Sequence, residues 1–199
     1  GWATITCQPD IYHNMPGSHY IPILLNRDKD RYARIEPSVD DGIVIVQTSS
    51  DRGLKNIDMH ERIRDKVLSK YNNVEFKFIE NLKYYDAMRV KAVANIGFDQ
   101  MQVGDGYYCT ASIEHSALGL VNVIHLDDFA KNLIARTIGT KELPWYTPAD
   151  EWELYEILDS LLADPKRILA EQNRTYEWSK KWWHEKDLIY HLTEFLERL

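Results

Sequence analysis

Cysteine is scarce in this chain: among 199 residues only Cys7 and Cys109 carry a thiol. Two such distant thiols do not make the framework of bridges that holds small secreted domains together, and a reducing, cytoplasmic setting is the expectation. Long apolar runs are missing as well. No stretch approaches the roughly 20 residues needed to cross a bilayer, so no transmembrane helix is predicted. Positive charge is in deficit, with 24 Lys and Arg against 31 Asp and Glu and a formal net charge of −7. The resulting pI near 5.5 provides no basic field to draw in a polyanion, which excludes broad nucleic-acid or anionic-membrane binding and leaves only local basic sites. Metal patterns are lacking too. The seven histidines show no i, i+4 pair, His184 and His191 standing seven apart. Asp28-Lys29-Asp30 has the look of an Asp-x-Asp metal motif but sits in a charged segment, Asn26 to Arg34, and reads as a solvated loop. Neither an internal repeat nor a low-complexity tract is present. Gly1 to Cys7 holds neither a methionine nor a charged-then-apolar leader, which reads as a cut inside a longer protein.

What is present is an ordinary globular composition, 44% hydrophobic and 28% charged, at the length of one domain. Gly42 to Thr48 is continuously apolar and β-branched, as a strand buried on both faces must be. Met59, Ile63, Val67 and Tyr71 then recur at helical spacing. Val74 to Ile79 predicts a strand, Tyr84 to Lys91 a helix, and Ala92 to Gly97 a third buried strand. Thr110 to Leu118 reads as a helix stopped by Gly119, Val121 to Leu126 as a fourth strand, and Asp127 to Ile138 as another helix leading through Leu143-Pro144-Trp145 to a last strand. Leu154, Ile157, Leu158, Leu161 and Leu162 mark one terminal helix, and Leu188, Ile189, Leu192, Leu196 and Leu199 the last. The alternation predicts a Rossmann-like, doubly wound α/β sheet over residues 1–199, with ligands at the carboxyl ends of the strands.

Two loops carry candidate chemistry. Arg52 and Lys55 fall between the first strand and its helix, where two cations and free helix amides suit a phosphate; the plain alternative is a pair of solvated charges. After the third strand, Gly104, Gly106, Tyr107 and Tyr108 precede the helix that bears Glu114. Glycines let backbone approach a ligand, helix amides face a diphosphate, and a carboxylate one turn in accepts bonds from ribose hydroxyls. The alternative is a turn before an amphipathic helix with Glu114 in water. Cys109 adjoins this site without a base beside it and is read as lining, not as a nucleophile. Tyr176, Trp178, Trp182 and Trp183 could form an interface or acceptor platform, but at helical spacing they read as packing.

Taken in order, Thr48-Ser49-Ser50-Asp51-Arg52-Gly53-Leu54-Lys55, Phe98-Asp99-Gln100, Val103-Gly104-Asp105-Gly106-Tyr107-Tyr108 and Glu114-His115-Ser116-Ala117-Leu118-Gly119 resemble the motifs of the carboxy-terminal, donor-binding domain of retaining GT-B glycosyltransferases. Gln8-Pro9-Asp10 through Tyr20-Ile21-Pro22 is similar to the segment that enters that domain, so residues 1–40 are read as a lead-in from an amino-terminal domain and 180–199 as the closing helix. The resemblance implies transfer of a glycosyl unit from a nucleotide-sugar to an unidentified acceptor, with retention, without a metal or other cofactor. Arg52 and Lys55 would neutralise the diphosphate, amides near Gly104 to Tyr108 would hold phosphate or sugar, Glu114 would bind ribose, and Asn81 to Tyr84 would stack on the base. The chain departs from the family at Gly106, where many members have a first glutamate eight positions before the second, and at Asn56 and His115-Ser116. Because the acceptor wall belongs to the other domain, this chain alone is expected to transfer little or nothing. The runner-up is a non-catalytic nucleotide-binding or assembly module; a flavodoxin-like domain shares the rhythm but leaves Phe98 to Gly119 unexplained.

Overall fold

The computed structural model describes the chain apart from residues 1, 2, 16, 27, 30, 31, 50, 51, 54, 102–107, 141, 198 and 199, and apart from the side chains of 185 and 187. The lead-in forms β1 (Ile5–Thr6), α1 (Pro9–Asn14) and β2 (His19–Tyr20), its two short strands pairing in parallel. Then follow β3 (Ile43–Thr48), α2 (Ile57–Leu68), β4 (Val74–Ile79), α3 (Tyr84–Ala92), β5 (Ile96–Phe98), α4 (Thr110–Leu118), β6 (Val121–Val123) and α5 (Asp128–Ile138). Three helices close the chain: α6 (Glu151–Leu162), α7 (Pro165–Trp182) and α8 (Glu185–Glu197).

The main sheet is wholly parallel in the order β4-β3-β5-β6. β3 is central, and the chain leaves it first to one side and then to the other. This is the doubly wound arrangement expected, with its switch point between β3 and β5. Alternation along β3 divides the core. Ile43 and Ile45 join Met59 and Ile63 of α2 and Leu154 and Leu158 of α6 on one face, whereas Val46 joins Met88 of α3, Ile113 of α4 and Ile134 of α5 on the other.

Three elements differ from their sequence outlines. The small apolar run after Lys91 is shared, Ala92 ending α3 and only Ile96–Phe98 pairing as a strand. Between them Asn95 extends the ladder by its side chain, accepting from the Val44 amide at 2.9 Å while its own amide donates to the Val44 carbonyl at 2.8 Å. β6 stops at Val123, after which the Ile124 amide turns to the Tyr146 carbonyl and the His125 amide to that of Gln100. The last strand reduces to a single parallel bridge between Val123 and Tyr146. Among the described residues no helix is long and apolar enough to cross a membrane.

Candidate functional site

A cavity of about 650 Å³ opens where the carboxyl ends of β3 and β4 face α3 and the start of α4. Thr48 and Ser49 end β3, Lys55 leads into α2, and Asn81 and Leu82 follow β4, with Asn81 in the left-handed region at φ 58°. Tyr84, Met88 and Lys91 line it from α3, and Cys109, Thr110, Ala111 and Glu114 from α4.

Two ion pairs stand in its wall. Lys91 Nζ meets Glu114 Oε2 at 2.5 Å, with side chains only 3% and 4% exposed. The other carboxylate oxygen accepts from Tyr84 Oη at 2.9 Å, and Tyr84 Oη in turn meets Tyr32 Oη at 2.9 Å. Burial, then the Tyr32 hydrogen bond and the neighbouring Glu114 anion, push the Tyr84 phenol far above its ordinary value.

The second pair joins Lys55 Nζ to Asp99 Oδ1. Asp99 is fully buried at the end of β5, and its Oδ2 accepts from the Cys109 amide at 3.0 Å, the Ser112 amide at 3.0 Å and Ser112 Oγ at 2.5 Å. Cys109 is the N-cap of α4 and makes no cap bond with its own side chain. A carboxylate from a neighbouring strand thus performs the capping, satisfying two of the helix's orphan amides and complementing the positive end of its dipole. Burial alone would raise the Asp99 pKa, but the Lys55 ammonium and the Ser112 hydroxyl outweigh it and hold it at about 2. Cys109 shows the opposite balance: burial and then Asp99 raise the thiol, which suits lining better than nucleophilic attack.

The sequence matches no protein-family model and no curated protein. Solved structures do match. A glycosyltransferase from Rickettsia africae superposes with TM-score 0.68 at 11% identity, over 98% of this chain and 63% of its own. HepE of Anabaena, solved with UDP and glucose, gives TM-score 0.65 at 12% identity, over 99% of this chain and 63% of its own. The carboxy-terminal domain of a group 1 glycosyl transferase, LpcC of Francisella tularensis, gives TM-score 0.59 at 12% identity over 80% of this chain and 98% of its own. The fold is that of a GT-B glycosyltransferase carboxy-terminal domain. The chain spans less than two thirds of the first two proteins, which continue beyond the region they share with it.

Within this GT-B fold the sequence-derived candidates separate. Lys55 and Glu114 come together on the cavity wall. Arg52 does not join them: its guanidinium pairs with Glu61 at 2.8 Å and Glu80 at 2.7 Å, and its side chain is half exposed outside the cavity. The Tyr108 side chain stands apart from the cavity, although its backbone adjoins Cys109 on the wall. Its side chain is fully buried, its hydroxyl meets Tyr20 Oη at 2.9 Å and the Ile23 amide at 3.3 Å, and its ring stands edge-on to Trp183 at 5.4 Å. A phenol surrounded in this way is a core pillar and leaves only its backbone for a ligand. Gly104, Gly106 and Tyr107 lie outside the described residues. The tryptophans read as packing do pack: Trp183 is buried in the core with Trp178 and Trp182 against it, and Trp178 and Trp183, 5.9 Å apart, both meet Trp145, at 5.7 and 6.0 Å ring centre to ring centre.

Sequence reasoning did not single out Lys91 or give Asp99 a role. Asp99 had a signal, its place in the Phe98-Asp99-Gln100 segment just before the glycine-bearing loop. Lys91 had none, because a partner 23 positions away leaves no local pattern. Among the described residues no group of three or more His, Cys, Asp and Glu side chains gathers as a metal site.

Proposed function

We propose that this cavity binds the nucleoside diphosphate part of a nucleotide-sugar, and that the chain is the donor-binding domain of a glycosyltransferase acting with retention and without a metal at the diphosphate. One observation carries the proposal: a cation, Lys55, and a carboxylate, Glu114, share the wall of a cavity at the carboxyl ends of β3 and β4, beside a helix N-terminus. Open α/β sheets take ligands at that place. The UDP bound by HepE, a neighbour in fold, supports the same ligand class.

In this reading Lys55 meets the diphosphate, the Thr110 and Ala111 amides at the rim assist it, Glu114 accepts from the ribose hydroxyls, and Leu82 with Tyr84 flanks the base. Calorimetry with uridine diphosphate and its 2′,3′-dideoxy form, without added metal, tests it. Affinity for the ribonucleotide should fall from wild type through Glu114→Gln to Glu114→Ala, the last by a charge-assisted contact of about 1.5–3 kcal/mol. The dideoxy form should not distinguish the three. Equal relative affinities in correctly folded variants would remove Glu114 from the site.

A second reading, a nucleotide-binding module without turnover, draws on Arg52, which is turned to Glu61 and Glu80, and on Gly106 standing where many relatives have a glutamate. Multiple-turnover glycosyl transfer by the chain, alone or with a separately supplied amino-terminal domain, would dismiss it.

A further inference from the structure

Resting on the reading of the cavity as a diphosphate site, we infer that Asp99 is the residue that sets its affinity, by holding Lys55 until a ligand's phosphate takes the lysine over.

The two oxygens of Asp99 have different partners. Oδ2 receives all three donors from the start of α4, the Cys109 amide, the Ser112 amide and Ser112 Oγ. Oδ1 receives Lys55. The attachment of β5 to α4 therefore does not depend on the lysine, and the buried anion keeps three donors if the lysine leaves. A carboxylate bound by several such donors stays ionised without a cation in contact.

Lys55 is placed to leave. It lines the cavity beside Thr48 and Ser49, whose hydroxyl oxygens are buried and without a partner, Ser49 being only 8% exposed as a residue. Buried hydroxyls of this kind are short of a hydrogen-bond partner, and a phosphate oxygen reaching the lysine would supply one.

Counting charge explains why the lysine must move. Of the buried ionisable groups on this wall, Lys55 is balanced by Asp99 and Lys91 by Glu114, while Arg52 is paired outside the cavity. Among the described residues the buried charges of the wall cancel, and an incoming diphosphate gains a full cationic contact there by competing with Asp99 Oδ1 for Lys55. Asp99 thereby discriminates: a neutral ligand, or an anion that stops short of Lys55, gains nothing from the exchange.

The test is calorimetry with uridine diphosphate in metal-free buffer, using wild type, Asp99→Asn and Lys55→Met/Asp99→Asn. Asparagine is isosteric and retains an acceptor for the α4 amides while discarding the charge. Asp99→Asn should bind about tenfold tighter than wild type, and the double variant, as neutral overall as the native pair, about tenfold more weakly than wild type. A double variant that binds like wild type would show that Lys55 stays on Asp99 and that the pair is purely structural. If neither wild type nor Asp99→Asn binds uridine diphosphate or any other nucleoside diphosphate, the cavity reading itself falls. Should Asp99→Asn fail to fold, NMR of wild type labelled at lysine and serine decides. On saturation with uridine diphosphate the Lys55 side-chain signal should shift while the Ser112 amide holds its place; an unmoved Lys55 signal overturns the inference.

Discussion

At the scale of single residues, the Lys91–Glu114 pair gives the clearest stability prediction. Two buried charges in contact are costly to separate, because removing one strands the other in a medium that solvates it poorly. Lys91→Met should lose about 3–5 kcal/mol, towards the lower end because Tyr84 still donates to Glu114. Lys91→Met/Glu114→Gln should lose less than Lys91→Met alone. Urea unfolding of wild type, Lys91→Met, Glu114→Gln and the double variant reads this directly, and a double variant as unstable as the sum of its singles would show that the groups act independently. Gly97 offers a second case. A Cβ there would lie 2.5 Å from His115 Nδ1 and 2.6 Å from its Cγ, and the ring cannot retreat because it is wholly buried and meets Asn122 at 3.2 Å. Gly97→Ala should therefore cost about 1–3 kcal/mol by overpacking, seen as a lower urea midpoint with unchanged slope. Both constraints were hard to see in the sequence. Glu114 was legible because it follows a glycine-bearing loop, whereas Lys91 and His115 find their partners only when the sheet assembles.

Elements were legible to the extent that their buried faces are apolar. β3, β4 and α4 fall where their patterns put them, to within a residue. α7 went without an outline of its own because the residues it buries are Ile168, Gln172, Thr175 and Ser179, a face that reads as polar. Its contact with α4 is partly hydrogen-bonded, Ser179 Oγ donating to the Ser116 carbonyl at 2.8 Å, and Gly119, at φ 76°, ends α4 against the Gln172 backbone and the Tyr176 Cβ. Helix starts supply a comparison that is easily measured. α5 is capped by its own Asp127, which accepts from the Ala130 amide at 2.7 Å, and Asp127→Ala should cost about 1 kcal/mol. α4 is capped from another strand by a residue that also neutralises a lysine, so Asp99→Ala should cost clearly more. Comparable losses for the two in urea unfolding would mean that the capping of α4 is ordinary.

For the whole molecule, acid should matter earlier than the carboxylates alone would bring it. Burial, helped by Lys55 for His60 and by Lys91 for His115, lowers both imidazoles from 6.5 to about 3. They are neutral when folded and take a proton when unfolded, so the unfolded chain binds more protons below pH 6.5 and stability falls as the pH drops from there towards 3. Each histidine contributes a slope of up to about 1.4 kcal/mol per pH unit in this window. Asp99, depressed from 3.8 to about 2, contributes stability that is fully present above its unfolded value and is lost as the pH falls from there through about 2. Unfolding free energies between about pH 7 and 4.5 should decline with a slope approaching two protons, and a flat profile would mean that both rings are protonated or partnered in the folded state. The strand order β4-β3-β5-β6 was legible only as a class, since periodicity tells that strands are buried and not which neighbours they choose.

The pillar of rings around Tyr108 has an optical consequence. Tyr108 directly precedes Cys109 and Thr110, which line the cavity, and its ring lies 6.1 Å from Trp145 and 5.4 Å from Trp183. Trp183 is 1% exposed and should emit at short wavelength, whereas Trp152 on the far helix is 66% exposed and should emit towards the red. Replacing Trp152 by phenylalanine would remove that solvent-facing background from the spectrum. The short-wavelength part of the remaining emission, from Trp145 and Trp183 against Tyr108, would then report on the cavity's edge from within, so that titrating a nucleotide into the unlabelled chain becomes a fluorescence measurement.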